Sequence, residues 1–109
     1  MDRELFVLIQ EAKHWLASRP QQQVLSAEWQ THNQLRLFID LLQKDSSLPS
    51  LEMAIQALRR YMVANFDWSA DYCAVVSRFC AQADHIRRRM RNAGAVTAER
   101  RSERIAVRR

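Results

Sequence analysis

The 109-residue chain predicts an all-α fold, an antiparallel four-helix bundle over residues 1–93 followed by a basic, largely flexible tail over residues 94–109. One glycine, Gly94, and two prolines, Pro20 and Pro49, are too few turn residues for the many hairpins of an all-β chain. Apolar residues instead recur in steps of three and four along four separate stretches, as the buried stripe of a helix requires. Short polar connections separate the stretches, which favours antiparallel neighbours.

Leu5, Leu8, Ile9, Ala12 and Leu16 form the first stripe and predict a helix from about Asp2 to Ser18. Asp2 and Glu4 stand in its first turn, where the helix dipole favours acids, and Pro20 ends it. Ser26 is a candidate N-cap for a second helix reaching about Lys44. Its stripe is Leu35, Phe38, Ile39 and Leu42, widened by Leu37 and Leu41, so neighbours are expected on two sides. Asp45 to Ser50 reads as a loop rich in capping residues, with Pro49 where a first helical turn tolerates it. Leu51, Ala54, Ile55, Leu58 and Met62 then repeat the spacing of the first helix to about Phe66. After Asp67-Trp68-Ser69, the seam Tyr72, Val76, Phe79, Ala83, Ile86 and Met90 predicts a fourth helix ending near Ala93, before Gly94. Beyond it, few large apolar residues repay ordering, although Thr97 to Val107 has the composition of a helix formed on contact.

The charge is divided unevenly. The last 25 residues hold nine arginines against Glu99 and Glu103, whereas the first 84 carry eight basic residues against ten acids. A basic end on a near-neutral body is the electrostatic footprint of a partner with many negative charges, above all nucleic acid. Fifteen of the seventeen basic residues are arginine, whose flat, permanently charged fork matches phosphate geometry. The candidate contacts are Arg87, Arg88, Arg89 and Arg91 on the fourth helix, Arg100, Arg101 and Arg104 in the tail, and Arg59 and Arg60 on the third helix. Trp15, Trp29 and Trp68 stand near helix ends, where an indole either staples the bundle or stacks on bases.

Catalytic and cofactor chemistry finds little to work with. A single glycine excludes a phosphate-cradling glycine loop. His14, His32 and His85 lack the spacing that places two metal ligands on one helix face, so no metal or other cofactor is expected. Cys73 and Cys80, about 10.5 Å apart along one helix, are too distant to bridge and read as small core residues of a reducing compartment. Asp71 would raise the pKa of Cys73 rather than activate it. Asp40, Asp45, Asp67 and Asp71 lie at expected helix ends, where capping accounts for them. No run approaches the roughly 20 apolar residues of a membrane span, and the start Met1-Asp2-Arg3-Glu4 is unlike a signal peptide. The expectation is a cytoplasmic, non-enzymatic protein without a small-molecule substrate.

Thr31-His32-Asn33-Gln34-Leu35-Arg36-Leu37-Phe38 resembles the Thr-x-x-Gln-Leu-Arg-x-Phe opening of a helix in the small helical subunits of type III CRISPR effector complexes. The match covers eight residues, and the glycine-poor, all-helical layout is similar to such subunits generally. The resemblance implies a role in antiviral defence. It also implies a subunit that packs side by side with copies of itself in a ribonucleoprotein, holding RNA or single-stranded DNA through backbone contacts. Gln34 and Arg36 are the matched positions, with Arg36 the implied phosphate contact. In that family the basic residues spread over the helices, whereas here they concentrate at the C-terminal end. Two alternatives stay open. One is a helix-turn-helix regulator over Leu35 to Phe66, with Ser50 to Tyr61 as the reading helix; the other is a helical adaptor or chaperone that binds protein through an apolar seam.

Overall fold

A computed structural model describes the backbone of residues 1–107 and the side chains of residues 1–94. The chain forms four helices, α1 (Arg3–Ser18), α2 (Ala27–Lys44), α3 (Leu48–Asn65) and α4 (Asp71–Val107).

Local chemistry sets the boundaries. The Asp2 carboxylate accepts the backbone N–H groups of Glu4 and Leu5 at the start of α1. Ser26 accepts that of Trp29 at the start of α2, and caps of this kind contribute about 1 kcal/mol each. Between these helices Leu25 takes a left-handed φ of 69°, a conformation costing a branched residue roughly 1–2 kcal/mol. The Gln30 side chain donates to its carbonyl and helps hold it there. The third helix starts earlier than the sequence suggests. Ser47 is its N-cap and Pro49 lies in its first turn, so the expected Asp45–Ser50 loop shortens to residues 45–47. Asp45 stiffens that connection by accepting from the Ser47 N–H and the Ser50 hydroxyl.

Neighbouring helices run antiparallel. Trp15, late in α1, meets His32, early in α2. Thr31 bonds the Tyr61 hydroxyl late in α3 at 3.2 Å. Arg89 in α4 reaches back to Asp2 at the start of α1. Each helix packs on the next, α4 closes on α1, and α2 also touches α4 across the middle.

The predicted stripes fill the interior. Leu5, Ile9, Leu35, Leu42, Leu51, Ile55 and Val76 are fully buried, with Leu58, Phe79, Ala83 and Ile86 beside them. Leu37 and Leu41, which widen the α2 stripe, stay about half exposed. No helix of the described residues is long and apolar enough to cross a membrane.

Gly94 does not end α4, which continues to Val107. One helical glycine costs about 1 kcal/mol relative to alanine, and the alanines, glutamates and arginines that follow are good enough helix formers to carry the helix through it.

Cys73 and Cys80 are free and buried, as expected of core residues. Burial raises both thiols above their ordinary value. For Cys73 the charges of Asp67 and Glu28 add to this, rather than Asp71. For Cys80 burial outweighs the opposing pull of Arg59. Changing both cysteines to alanine is therefore expected to lower stability at most. Loss of ligand binding in a double variant with a native circular dichroism spectrum would refute this.

Candidate nucleic-acid interface

The candidate arginines divide into three groups. Along the α3–α4 edge, Arg59, Arg87 and Arg88 converge on one carboxylate, that of Asp84. Arg87 Nε donates to Asp84 Oδ1 at 2.8 Å, while Arg88 Nη2 and Arg59 Nη2 lie 3.1 and 3.3 Å from Oδ2. The spacing is local in origin, since Asp84 stands three and four residues before Arg87 and Arg88, one helical turn away. Packing of α3 on α4 adds Arg59 from across the groove.

Asp84 is almost wholly buried, with its side chain 8% exposed, whereas Arg59 and Arg88 are 51% and 69% exposed. Burial pushes the Asp84 pKa up; the Arg87 hydrogen bond and the charges of Arg59, Arg87 and Arg88 overcome that and hold it below its ordinary 3.8. A guanidinium has five N–H donors in a rigid fork, so one bond to Asp84 orients it and leaves donors facing water. Three guanidiniums against one carboxylate leave this point two formal charges positive. Arg60 on α3 and Arg91 on α4 are exposed, and among the described residues neither has an ion-pair partner.

Arg89 belongs to a different construction. It turns toward α1, donating to Asp2 Oδ2 at 2.6 Å with Glu4 Oε2 3.5 Å away, and so ties α4 to the N-cap of α1. Its side chain remains 41% exposed. Sequence reasoning grouped it with Arg87, Arg88 and Arg91 because arginines within about one turn look alike until the helix acquires faces.

Arg36 is the third case. It is exposed, donates to Asn33 Oδ1 at 2.8 Å, and borders a shallow α1–α2 groove with Lys13 and Asp40. That groove lies across the bundle from the α3–α4 edge, so Arg36 shares no surface with Arg59 and Arg60. In the motif containing Arg36, Thr31, Leu35 and Phe38 are buried and Gln34 is half-buried. The side chains of Arg100, Arg101 and Arg104 lie outside the described residues.

The tryptophans also separate. Trp15 is half-buried, edge-on to His32 and Phe79, and Trp29 is half-buried. Trp68 is 61% exposed in the α3–α4 connection, edge-on to Phe66.

Asp84 is the functional candidate that sequence reading passed over. Its legible signal was a lone acid at the right spacing ahead of an arginine run. His32 enters the sequence reading only as a rejected metal ligand and as a member of the α2 motif. Its ring is buried among Trp15 and Tyr72, and Nε2 has no hydrogen-bond partner, with Glu28 Oε1 3.6 Å away. Glu28 is held by Arg19 at 2.5 Å.

Burial lowers the His32 pKa below 6.5; Glu28 opposes the shift, and Arg36 and Arg19 reinforce it. The unfolded chain therefore takes up this proton before the folded one does. His32 leaves stability intact above about pH 6.5 and erodes it as pH falls from there toward the folded pKa. Urea midpoints at pH 7.5 and 5 should show this decline, and His32→Gln should flatten it. An equal decline in both proteins would assign the effect elsewhere.

Among the described residues no group of three His, Cys, Asp or Glu is placed to hold a metal ion. No family model, no curated protein and no solved structure matches the chain.

Proposed function

We propose that the chain is a non-catalytic nucleic-acid-binding subunit of a cytoplasmic ribonucleoprotein assembly. It grips the phosphate backbone of RNA or single-stranded DNA, in the manner of the CRISPR effector small subunits that its α2 motif resembles, and works beside other subunits and copies of itself. The reading rests on one constellation, the three guanidiniums held on buried Asp84, with exposed Arg60 and Arg91 on the same two helices. Arginines fixed at one end lose less freedom on binding than free ones. Because donors on a helix edge reach phosphates without entering a groove, binding is expected to be independent of sequence.

A titration against single- and double-stranded oligonucleotides at two salt concentrations tests the proposal. Affinity should fall steeply with salt and vary little with base sequence. Weak binding that ignores salt would refute it.

A further inference from the structure

Two of the guanidiniums gathered by Asp84 come from different helices and meet at a single atom. Arg59 Nη2 of α3 and Arg88 Nη2 of α4 both contact Asp84 Oδ2, at 3.3 and 3.1 Å. The two nitrogens therefore stand at most about 6.4 Å apart, the sum of those contacts. Both side chains are more than half exposed, whereas Arg87, on the other carboxylate oxygen, is 19% exposed and the carboxylate itself is buried. What the cluster shows to solvent is a pair of forks.

Charge and shape decide what such a pair can hold. Like charges this close repel one another, and one carboxylate offsets only one of three, so two positive charges remain for a ligand to neutralise. Two helical turns along the same faces stand Glu52 on α3 and Arg91 on α4, whose charges cancel formally. Among the described residues Glu52 makes no ion pair with the cluster. Arg60, next to Arg59, adds a further positive charge.

A phosphate esterified at one oxygen only carries a charge between about −1.5 and −2 at pH 7 and three oxygens that accept strong hydrogen bonds. An internal phosphodiester carries a single charge and two free oxygens, and the chain leaves it on both sides. Forks that approach from two helices therefore match the monoester, in charge and in the number of oxygens within reach. Each guanidinium keeps donors free after its bond to Asp84, and each can take oxygens from its own side.

We infer that the gap between Arg59 and Arg88 is a clamp for a phosphomonoester, the terminal phosphate of a nucleic-acid strand. The inference rests on the nucleic-acid reading and narrows it. The strand is held by its end at the Asp84 cluster, and Arg60 and Arg91 are left for the internal phosphates that follow. Asp84 holds both forks at one point before the ligand arrives. The same chemistry occurs at a 5′ end, at a 3′ end and in free phosphate.

Fluorescence anisotropy of the full chain with one internally labelled single strand, bearing a 5′-phosphate, a 3′-phosphate or hydroxyls at both ends, separates these sources. At least one phosphorylated end should bind about tenfold more tightly than the hydroxyl form. A hydroxyl-ended strand one nucleotide longer, which adds only a diester charge, should gain far less. Methyl esterification of the terminal phosphate should remove the advantage, and so should inorganic phosphate at an ionic strength where chloride does not. Arg88→Gln, at the most exposed arginine of the cluster, should bring the preference close to unity. Lys13→Gln, an equal loss of charge on α1, should leave the preference as it was. Equal affinity for phosphorylated and hydroxyl ends, or a preference that survives Arg88→Gln, would overturn the clamp. If binding then still falls steeply with salt, the nucleic-acid reading stands without it; if no form of the strand binds, both fail.

Discussion

Deleting residues 94–109 should weaken binding to single- and double-stranded nucleic acid strongly while leaving the bundle folded. The deletion removes five arginines and two glutamates. If the full chain neutralises about six phosphates, its slope of log affinity against log salt should be near −4 to −5, with single strands at the shallow end. Truncation should shrink that slope by roughly two to three. The remaining affinity should reside at the α3–α4 edge, where Arg60→Glu combined with Arg91→Glu reverses two exposed charges and should remove most of it.

The choice of those two positions follows from the ion pairs. Reversing Arg87 or Arg89 would set a glutamate against Asp84 or Asp2, so lost binding would be confounded with lost folding. A truncated protein that binds as tightly as the full chain, with an unchanged slope, would make the C-terminal arginines a solubility device.

Replacing Leu58 or Ile55 by alanine should cost about 2–5 kcal/mol, the range for cavities left by large core side chains. Both are almost completely buried, at 2% and 1% exposure, and both lie where α3 meets its neighbours. Urea denaturation would register the loss as a lower midpoint. A change within about 0.5 kcal/mol, typical of a surface site, would mean that the α3 stripe is not core. Leu37→Ala and Leu41→Ala, on half-exposed positions of α2, should cost far less. That contrast separates residues that merely extend a stripe from those that fill the interior.

Most of the fold was legible because its determinants are local. A buried helix face recurs every three or four residues, and Asp2, Ser26 and Pro49 mark helix starts through bonds or backbone limits that reach no further than one turn. The misplaced boundaries, at Leu48 and Gly94, are positions where a residue tolerates two roles and the propensity of its neighbours decides.

The candidate interface was only half legible, since a helix wheel shows that arginines surround α4 but not which neighbour each one meets. Reading residues one by one thus yielded the helix count, the core stripes, the buried cysteines and the asymmetry of charge. Tertiary structure alone decided that Arg59 joins Arg87 and Arg88 on Asp84, that Arg89 pairs with Asp2 at the start of α1, and that Arg36 borders the α1–α2 groove. The physical reason is reach. Hydrogen bonds and side-chain periodicity act within a turn, whereas the partner of a charge is set by which helices pack together, and that depends on the whole chain.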